Sequence, residues 1–351
     1  MKKLLLFFAV WVMLMPLRVN AQSDLANLFK AGVNDLQTLT QGYIKPIGYG
    51  IADGLGTNWY NTAATHKPWG FDITVGATGL LVPSTDKNFS LAGLTSLQVV
   101  NGQTTAPTFG GKGDGVELKM TAPNGQTIVD FRTPSGVTPV IPGVNAQLTL
   151  GLPKGNDLSF RFVPTIQTDK YEVGLWGIGL KHNFKQWIPG LKLLPFDAAV
   201  MVGYTHVHFN YLFDNPIMPN DLVNDPNMIN EPSDLSVFMH QGMRVSANSL
   251  MANIIVSKKL LFFTPYVGFG VTSSQFDFNF TGSYPVLGNL SSNNKYDVNA
   301  LTNPIPLHYS SFNPGLTVGF RLKFLWIFAL HAQYTMQQYA AASVGLGINI
   351  R

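Results

Sequence analysis

The feature that most constrains the fold of this chain is a strict two-residue alternation along unusually long segments. In residues 312–324 every even position is apolar, whereas the odd positions carry Asn, Gly, Thr, Arg or Lys. Successive side chains of a β-strand point to opposite faces, so this segment predicts a strand with one wholly apolar face. Residues 326–336 and 343–350 repeat the pattern, which predicts a sheet built from such strands.

The length of the alternating segments separates two all-β architectures. Residues 196–212, 237–255 and 261–280 exceed the ~5–6 residues of an ordinary strand and reach the ~9–11 residues that cross a bilayer. A soluble sandwich, with the apolar faces as its core, is the alternative. Charged residues make up only 12% of the chain, about half the share of a soluble domain. We therefore predict an all-β protein, a transmembrane antiparallel up-and-down β-barrel of about 12–14 strands, with a short N-terminal helix.

The number of strands depends on three alternatives. Single-chain bacterial barrels have an even number of strands, but the alternating segments here give about thirteen. Residues 43–51 could add a strand, or the hairpin of residues 116–120 and 127–131 could be miscounted. In the third alternative the N-terminal segment threads the lumen as a plug.

The first residues have the layout of a signal peptide. Lys2 and Lys3 precede an apolar stretch at residues 4–17, and the small residue Ala21 ends the segment. A membrane anchor helix is the alternative, but the stretch is shorter than the ~20 residues that such a helix needs. We expect residues 1–21 to be a signal peptide, residues 22–69 an N-terminal helix and plug-like segment, and residues 70–351 the barrel, located in a Gram-negative cell outer membrane.

The segment before the barrel has two parts in the sequence. Ser23 is placed to cap a short helix in which Leu28, Phe29 and Leu36 recur on one face. Residues 42–69 are rich in Gly, Pro and aromatic residues, which predicts irregular structure. Such a segment fits either the inside of the barrel or the periplasm.

Composition argues against several classes of protein. Without residues 1–21 the chain loses Lys2, Lys3 and Arg18, so Lys+Arg falls from 23 to 20 against 19 Asp+Glu. The remaining chain is nearly neutral and has no basic cluster, so nucleic acid is not an expected partner. It has no Cys, so it has neither disulfides nor thiolate chemistry.

Histidines and serines give no pattern of an enzyme or a metal site. His206 and His208 share one face of a strand, but no Cys or carboxylate is near them in sequence. The chain lacks a Gly-x-Ser-x-Gly motif, and His331 is the best single candidate for acid–base chemistry. We predict no enzyme activity, no cofactor and no metal.

The candidate site consists of charged and polar residues that lie opposite the apolar faces. Such residues face the lumen of a barrel, where charges of both signs either line a polar channel or brace a plug by ion pairs. The lumen-facing candidates are Asp72, Arg161, Glu172, Asp197, Arg321, Lys323 and His331.

Aromatic residues and loop lengths add two further expectations. Aromatic side chains near strand ends are typical of interfacial girdles; here they are Trp59, Tyr60, Trp69, Trp176, Trp187, Tyr211 and Trp326. Connections at residues 83–88, 153–156 and 257–260 are short, whereas 213–235 and 281–307 are long and polar. We expect the two long loops on the same, outer side of the membrane.

Two resemblances follow from short motifs. The run Trp59-Tyr60-Asn61-Thr62-Ala63 resembles the Asn-Pro-Ala motif of the long-chain fatty acid transporter family of outer-membrane barrels, with Thr62 in place of Pro. That resemblance implies a barrel closed by an N-terminal hatch, with Asn61 and Ala63 in the hatch motif. Residues 43–72, 174–182 and 186–190 look more like an uncharacterised family of Bacteroidetes outer-membrane proteins.

The function that these patterns predict is an outer-membrane channel or transporter that passes small hydrophobic molecules by passive diffusion. Its expected partners are outer-membrane lipid and a small hydrophobic ligand. The alternative is a non-transporting scaffold whose long loops bind a secreted or surface partner.

Overall fold

The computed structural model describes residues 27–190 and 193–350, so the expected signal peptide and Ser23 lie outside the described residues. The helix α1 (Gly32–Leu55) precedes the strands. The strands are β1 (Phe71–Leu81), β2 (Asn88–Ser90), β3 (Gln98–Val99), β4 (Thr105–Pro107), β5 (Glu117–Thr121), β6 (Thr127–Arg132), β7 (Val140–Leu152), β8 (Asn156–Gln167), β9 (Tyr171–His182), β10 (Asp197–Leu212), β11 (Ile229–Asn230), β12 (Gly242–Ser257), β13 (Phe263–Thr281), β14 (Ser283–Leu290), β15 (Tyr296–Thr302), β16 (Leu307–Phe324), β17 (Phe328–Met336) and β18 (Ala341–Ile350). Short 3₁₀ helices are Phe29–Ala31, Ser84–Asp86, Phe184–Trp187, Pro219–Leu222, Pro226–Met228 and Ser236–Phe238.

The predicted antiparallel barrel is confirmed, and within residues 27–190 and 193–350 its wall has ten strands. Each barrel strand pairs with the next one along the chain, and β18 pairs with β1 to close the ring. The estimate of about 12–14 strands was too high. The hairpin of β5 and β6 pairs with β3 in a separate sheet, and residues 43–51 are helical. Local alternation identifies strands, but it does not show which sheet they join.

The outer surface of the barrel is an apolar band of limited height. Along β13 the outward positions 263, 265, 267, 269 and 271 are all apolar, whereas Tyr266, Gly268 and Thr272 point inward and are buried. Beyond them the outward positions 273, 275, 277 and 279 are all polar. The apolar part of this strand therefore spans about the 9–11 residues that cross a bilayer. Among the described residues, no helix combines the length and the apolar character needed to span a membrane.

The two ends of the barrel differ. At one end, which we call the short-turn end, the connections are residues 153–155, 183–196, 258–262 and 325–327. At the opposite end, the long-loop end, residues 82–139, 213–241 and 282–306 form long connections. The two long loops expected on one side do emerge together. Residues 83–88, in contrast, do not form a short turn between barrel strands, because they begin the long excursion from β1 to β7.

The long connections fold into a cap, and its hydrophobic core is continuous with lumen-facing residues of the wall such as Ile141 and Phe276. The first residues of the described chain lie within this core: Leu28, Phe29, Leu36 and Leu39 are fully buried. The ring of Phe29 stacks on Tyr284 of the cap with 4.4 Å between the ring centroids. The N-terminal half of α1 is therefore a structural element of the cap.

The helix is longer than its sequence predicts. Residues 42–55 were expected to be irregular, yet α1 continues through them and contains Pro46. The glycines in this part let the helix lie directly against the wall: a Cβ on Gly50 would come within 2.7 Å of Ile141, and one on Gly54 within 2.8 Å of Leu80. Close packing against the barrel thus outweighs the low helix propensity of Gly and Pro.

Asp35 joins the helix to the cap. Its carboxylate accepts hydrogen bonds from the backbone N–H groups of Thr95, Ser96 and Leu97 at 2.7–2.9 Å. We expect Asp35→Ala to lower the free energy of unfolding of the cap by about 2 kcal/mol or more, because it leaves these donors without their acceptor. The measurement is the urea dependence of proteolysis within residues 82–139. Asn34→Ala, at the exposed neighbouring position, should leave the free energy of unfolding of the cap unchanged. If the two variants resist proteolysis equally, Asp35 does not have this role.

Candidate functional site: a plugged lumen and a seam in the wall

The N-terminal segment passes lengthwise through the barrel. Phe29 lies near Phe280 at the long-loop end, with 4.9 Å between the ring centroids. The carbonyl of Leu55 accepts from Arg161 of β8 at 3.0 Å. The backbone N–H of Ala63 donates to Ser257 at the short-turn end at 3.0 Å. We call residues 56–70, which follow α1 in the lumen, the lower plug.

Trp59 of the lower plug occupies a slot in the wall that is made of glycines. A Cβ on Gly179 or Gly203 would come within 2.7 Å of the indole ring, and one on Gly177 within 3.3 Å. The guanidinium of Arg161 lies 3.8 Å from the ring centroid on the lumen side, a favourable cation–π geometry. The indole is only 2% exposed. Trp59 and Tyr60 therefore belong to the plug, and their expected place in an interfacial girdle was wrong.

Arg161 connects the end of α1 to the wall. Besides Leu55, its guanidinium donates to the carbonyl of Thr57 at 2.8 Å and to the side chain of Gln147 at 3.1 Å. The last carbonyls of a helix have no partner within the helix, and a cation at this end is favourable. Arg161 thus satisfies the buried carbonyl of Thr57 and shares that of Leu55 with the hydroxyl of Thr205, which donates to it at 3.1 Å.

A second set of ionic contacts holds the lower plug at the short-turn end. Lys181 lies 3.0 Å from Asp157 and donates to the carbonyl of Ala64 at 2.9 Å. The same carboxylate, which is fully buried, lies 3.1 Å from His66 of the plug. These wall charges brace the plug. Of the hatch-motif residues, Ala63 is fully buried and Asn61 is half-buried.

The middle of the lumen is occupied by neutral and charged groups from both plug and wall. Asn58 of the plug contacts His331 at 2.8 Å and donates to Asn145 at 3.1 Å. His331 is thus engaged with the plug. Arg321 lies 3.5 Å from Asp72 across the lumen face of the wall.

The remaining candidates lie at one end of the barrel or on its outside. Lys323 donates to Asn349 at 2.6 Å near the short-turn end, and Asp197 is half-buried at that same end. Glu172 does not face the lumen: Leu175 and Lys181 point inward on β9, so position 172 lies on the outer face. There it accepts from Asn210 at 3.0 Å. This part of β9 has passed the apolar band, where polarity no longer identifies the lumen face.

His206 and His208 also lie on the outer face, with 6.0 Å between their ring centroids. His206 contacts Asn248 at 2.7 Å, and His208 lies 3.7 Å from Glu172. Within residues 27–190 and 193–350, no group of three His, Asp or Glu side chains is placed to hold a metal ion.

Along its axis the lumen is closed. The gap between the lower plug and the wall has a volume of about 10 Å³ and is lined by residues that include Tyr60, Asn253, Thr317 and Gln333. That is about the space that one water molecule needs. Outside the membrane strands the closure continues with Tyr339, which donates to Asp86 at 2.6 Å. Burial raises the pKa of Tyr339, and the neighbouring carboxylate raises it further.

The wall itself has a seam between β7 and β8. These strands pair over six residues only, from Leu152↔Asn156 to Gln147↔Arg161. Beyond them, residues 140–146 of β7 pair with β1 alone, and residues 162–167 of β8 pair with β9 alone. Among the described residues no strand fills the space between the two free edges. We call this opening the β7–β8 seam.

The sequence gives a physical reason for the seam. Pro142 and Pro164 lie in the two free stretches, and proline cannot donate a hydrogen bond to a neighbouring strand. The pairing of β8 with β9 also shifts register between Val163 and Ile166. Such a bulge bends the strand and increases its twist.

The seam leads to the C-terminal half of α1. Ile141, on the free stretch of β7, contacts Gly50 of the helix. Ile47, Ile51 and Leu55 follow one another at four-residue spacing on this half of α1, and each is only half-buried. Ile47, three residues before Gly50, shares the helix face that contacts β7, so an apolar side chain of α1 lies beside this edge of the opening.

Comparison with known proteins finds a matching family, and comparison with solved structures finds distantly similar folds. Residues 1–350 match a protein family described as a family of unknown function, DUF6588. No curated protein matches the sequence. The expectation of an uncharacterised family is thus confirmed, whereas its Bacteroidetes origin and the likeness to fatty acid transporters stay predictions.

Solved structures with similar folds are outer-membrane barrels. Ail, the attachment invasion locus protein of Yersinia pestis, is 7% identical over 81% of this chain and 99% of its own, with a TM-score of 0.25. The translocator domain of the autotransporter NalP from Neisseria meningitidis is 9% identical over 91% and 98%, with a TM-score of 0.28. The toluene transporter TodX of Pseudomonas putida is 9% identical over 87% and 76%, with a TM-score of 0.24. Likenesses this distant carry no inference about function.

Because Trp59 fills the glycine slot, we expect substitutions in this slot to open the lumen to ions. Gly179→Ala places a Cβ within 2.7 Å of Trp59 and Met201, so we expect the indole to leave its slot and the barrel to conduct ions in a planar bilayer. Trp59→Ala should conduct as well and lose about 3–5 kcal/mol of stability. Gly315→Ala is the matched control, since its Cβ would meet nothing closer than 3.6 Å. Conductance that is the same in the wild type and all three variants would show that Trp59 does not seal the lumen.

Proposed function

The chain belongs to DUF6588, a family of unknown function, and we propose that it is an outer-membrane transporter that passes small hydrophobic molecules by passive diffusion. The surface of the barrel supports a membrane location. Its outward side chains form an apolar band, and exposed aromatic residues such as Trp187 and Trp326 lie at the short-turn end. The long loops lie at the opposite end, as in bacterial outer-membrane barrels, where such loops are extracellular.

The observation that carries the proposal is the β7–β8 seam. A hydrophobic molecule dissolved in the membrane meets the outer surface of the barrel, where Phe162 at the border of the seam is 65% exposed. The free edges of β7 and β8 begin at this height and continue toward the long-loop end, and α1, which contacts the free stretch of β7 at Gly50, lies beside the opening. Apolar contacts on both sides favour a hydrophobic molecule over a polar one.

The lower plug is the part that must move for passage to be completed. The N-terminal half of α1 is fixed in the core of the cap, so displacement of the whole helix would expose Leu28, Phe29 and Leu36 to water. In the lower plug, Trp59, Tyr60 and Ala63 pack in a smaller cluster with side chains of the wall, and hydrogen bonds and ion pairs with the wall hold other parts of its length. Passage therefore runs from the seam along α1 and past the lower plug to the short-turn end.

A cross-link across the seam tests this route. Gln147↔Arg161 is the last registered pair, so Ala146→Cys and Phe162→Cys place thiols on both free edges just beyond it. The chain has no other Cys. After treatment with a short bis-maleimide, we expect uptake of N-phenyl-1-naphthylamine into proteoliposomes to fall to the level of vesicles without protein, because the free edges can no longer separate.

The matched control links two strands that are already paired. Val75 and Leu346 are registered partners in β1 and β18 and are exposed on the outer face, so Val75→Cys with Leu346→Cys should leave uptake unchanged after the same treatment. Uptake that survives the link at the seam would show that molecules take another route. A wild-type protein that transports no dye would overturn the transport proposal itself.

The cap favours a second candidate, a scaffold that binds a secreted or surface partner through its long loops. Three long connections enclose a hydrophobic core that includes Leu118, Leu222 and Tyr284, which is more structure than a flexible loop needs. A folded surface of this kind presents fixed side chains to a partner. Absence of dye transport in the wild-type protein would favour this function.

A further inference from the structure

One edge of β16 has no partner near the long-loop end. β16 pairs with β13 from Leu307 to Leu322, but with β17 only from Leu316 to Phe324. The hairpin of β17 and β18 is shorter, with its turn at residues 337–340. Within the described part of the chain, residues 307–315 therefore have a free edge on the side away from β13.

A groove of about 530 Å³ runs along this edge. Residues 308–310 of β16 form one side, and Phe89 and Ser90 of β2 form the other. The helix α1 forms the floor with Thr38, Gln41 and Tyr49 among its residues. The groove is thus bordered by two strands and has aromatic side chains within it.

The free edge lacks the features that usually prevent strand pairing. Natural edge strands are protected by lysine, proline, bulges or a covering segment. Residues 307–313 contain no Lys and no Pro, and their pairing with β13 continues without a register shift. Pro314 follows directly. It has no backbone N–H group, so it ends the stretch that can donate hydrogen bonds to a partner strand. The edge offers seven residues of backbone to a partner strand.

We propose that this groove binds an extended peptide segment of another protein, which adds a strand to the free edge of β16. Backbone hydrogen bonds would supply much of the affinity, and side chains at alternate positions would enter the groove. Tyr49, Phe89 and Tyr309 in its lining fit aromatic or aliphatic side chains. The two basic side chains of the lining are already paired, Lys45 with Asp86 at 2.8 Å and His308 with Asp277 at 2.7 Å, so the segment is neutral. The proposal does not depend on transport, because the groove lies outside the seam and the lower plug.

The probe is a library of twelve-residue peptides displayed on phage, selected against the full-length protein in lipid nanodiscs. We expect enrichment of extended sequences that are rich in aromatic and aliphatic residues and poor in charged ones. In the wild-type protein, the bound peptide should slow hydrogen exchange of the amides in residues 307–313. Methylation of the peptide nitrogens one at a time should abolish binding at alternate positions only, because every second N–H of an added strand faces β16.

Two helix variants provide the matched side-chain test. Thr38→Arg introduces a long side chain into the groove, and we expect it to weaken peptide binding tenfold or more, or about 1.4 kcal/mol. Gln37→Arg adds the same charge at an exposed neighbouring position outside the groove and should bind as the wild type does. Heat-dependent gel migration checks that both barrels fold. Failure to enrich peptides, equal binding by both variants, or tolerance of methylation at every nitrogen would overturn the proposal.

Discussion

The contact of Arg161 with the plug is the interaction on which the closed lumen depends. A guanidinium in the wall binds the carbonyls of Leu55 and Thr57, where α1 ends, and covers the ring of Trp59. Removal of such a buried ionic partner leaves polar groups without hydrogen bonds in a site that water reaches poorly. The helix, the lower plug and the wall are therefore joined at one point. The glycine slot and the contacts of Asp157 with Lys181 and His66 position the segment around that point.

Much of the fold could be predicted from the sequence, because the period of two is a local property of each strand. The helix could not, since Gly50, Gly54 and Pro46 disfavour a helix when judged by propensity, and their value lies in close packing against a wall that is distant in sequence. Trp59 was misplaced for the same reason. An aromatic residue near a strand end fits a membrane interface, and only the inward glycines at 177 and 179, spaced by two, could have pointed to the slot.

The candidate site was predictable only in part. Asp72, Arg161, Arg321 and His331 lie inside the barrel because they sit within the membrane-height part of their strands, where only the lumen is polar. Glu172 lies beyond that height, so the outer face is polar too and the inference fails. The seam depends on which strands remain unpaired, and pairing joins residues far apart in the sequence. Pro142 and Pro164 indicate strand edges that pair weakly, but they do not indicate that these two edges face each other.

The direction of the N-terminal segment has a consequence for assembly. Residues 28–29 lie in the cap at the long-loop end, whereas the lower plug meets β1 at the short-turn end. The ring that encloses this segment is completed by the pairing of β1 with β18, the first and last strands of the wall. If β1 and β18 pair around α1, the chain does not have to be threaded through a barrel that has already closed. The wall would then form around α1 in one event, with the pairing of β18 as the step that encloses this helix.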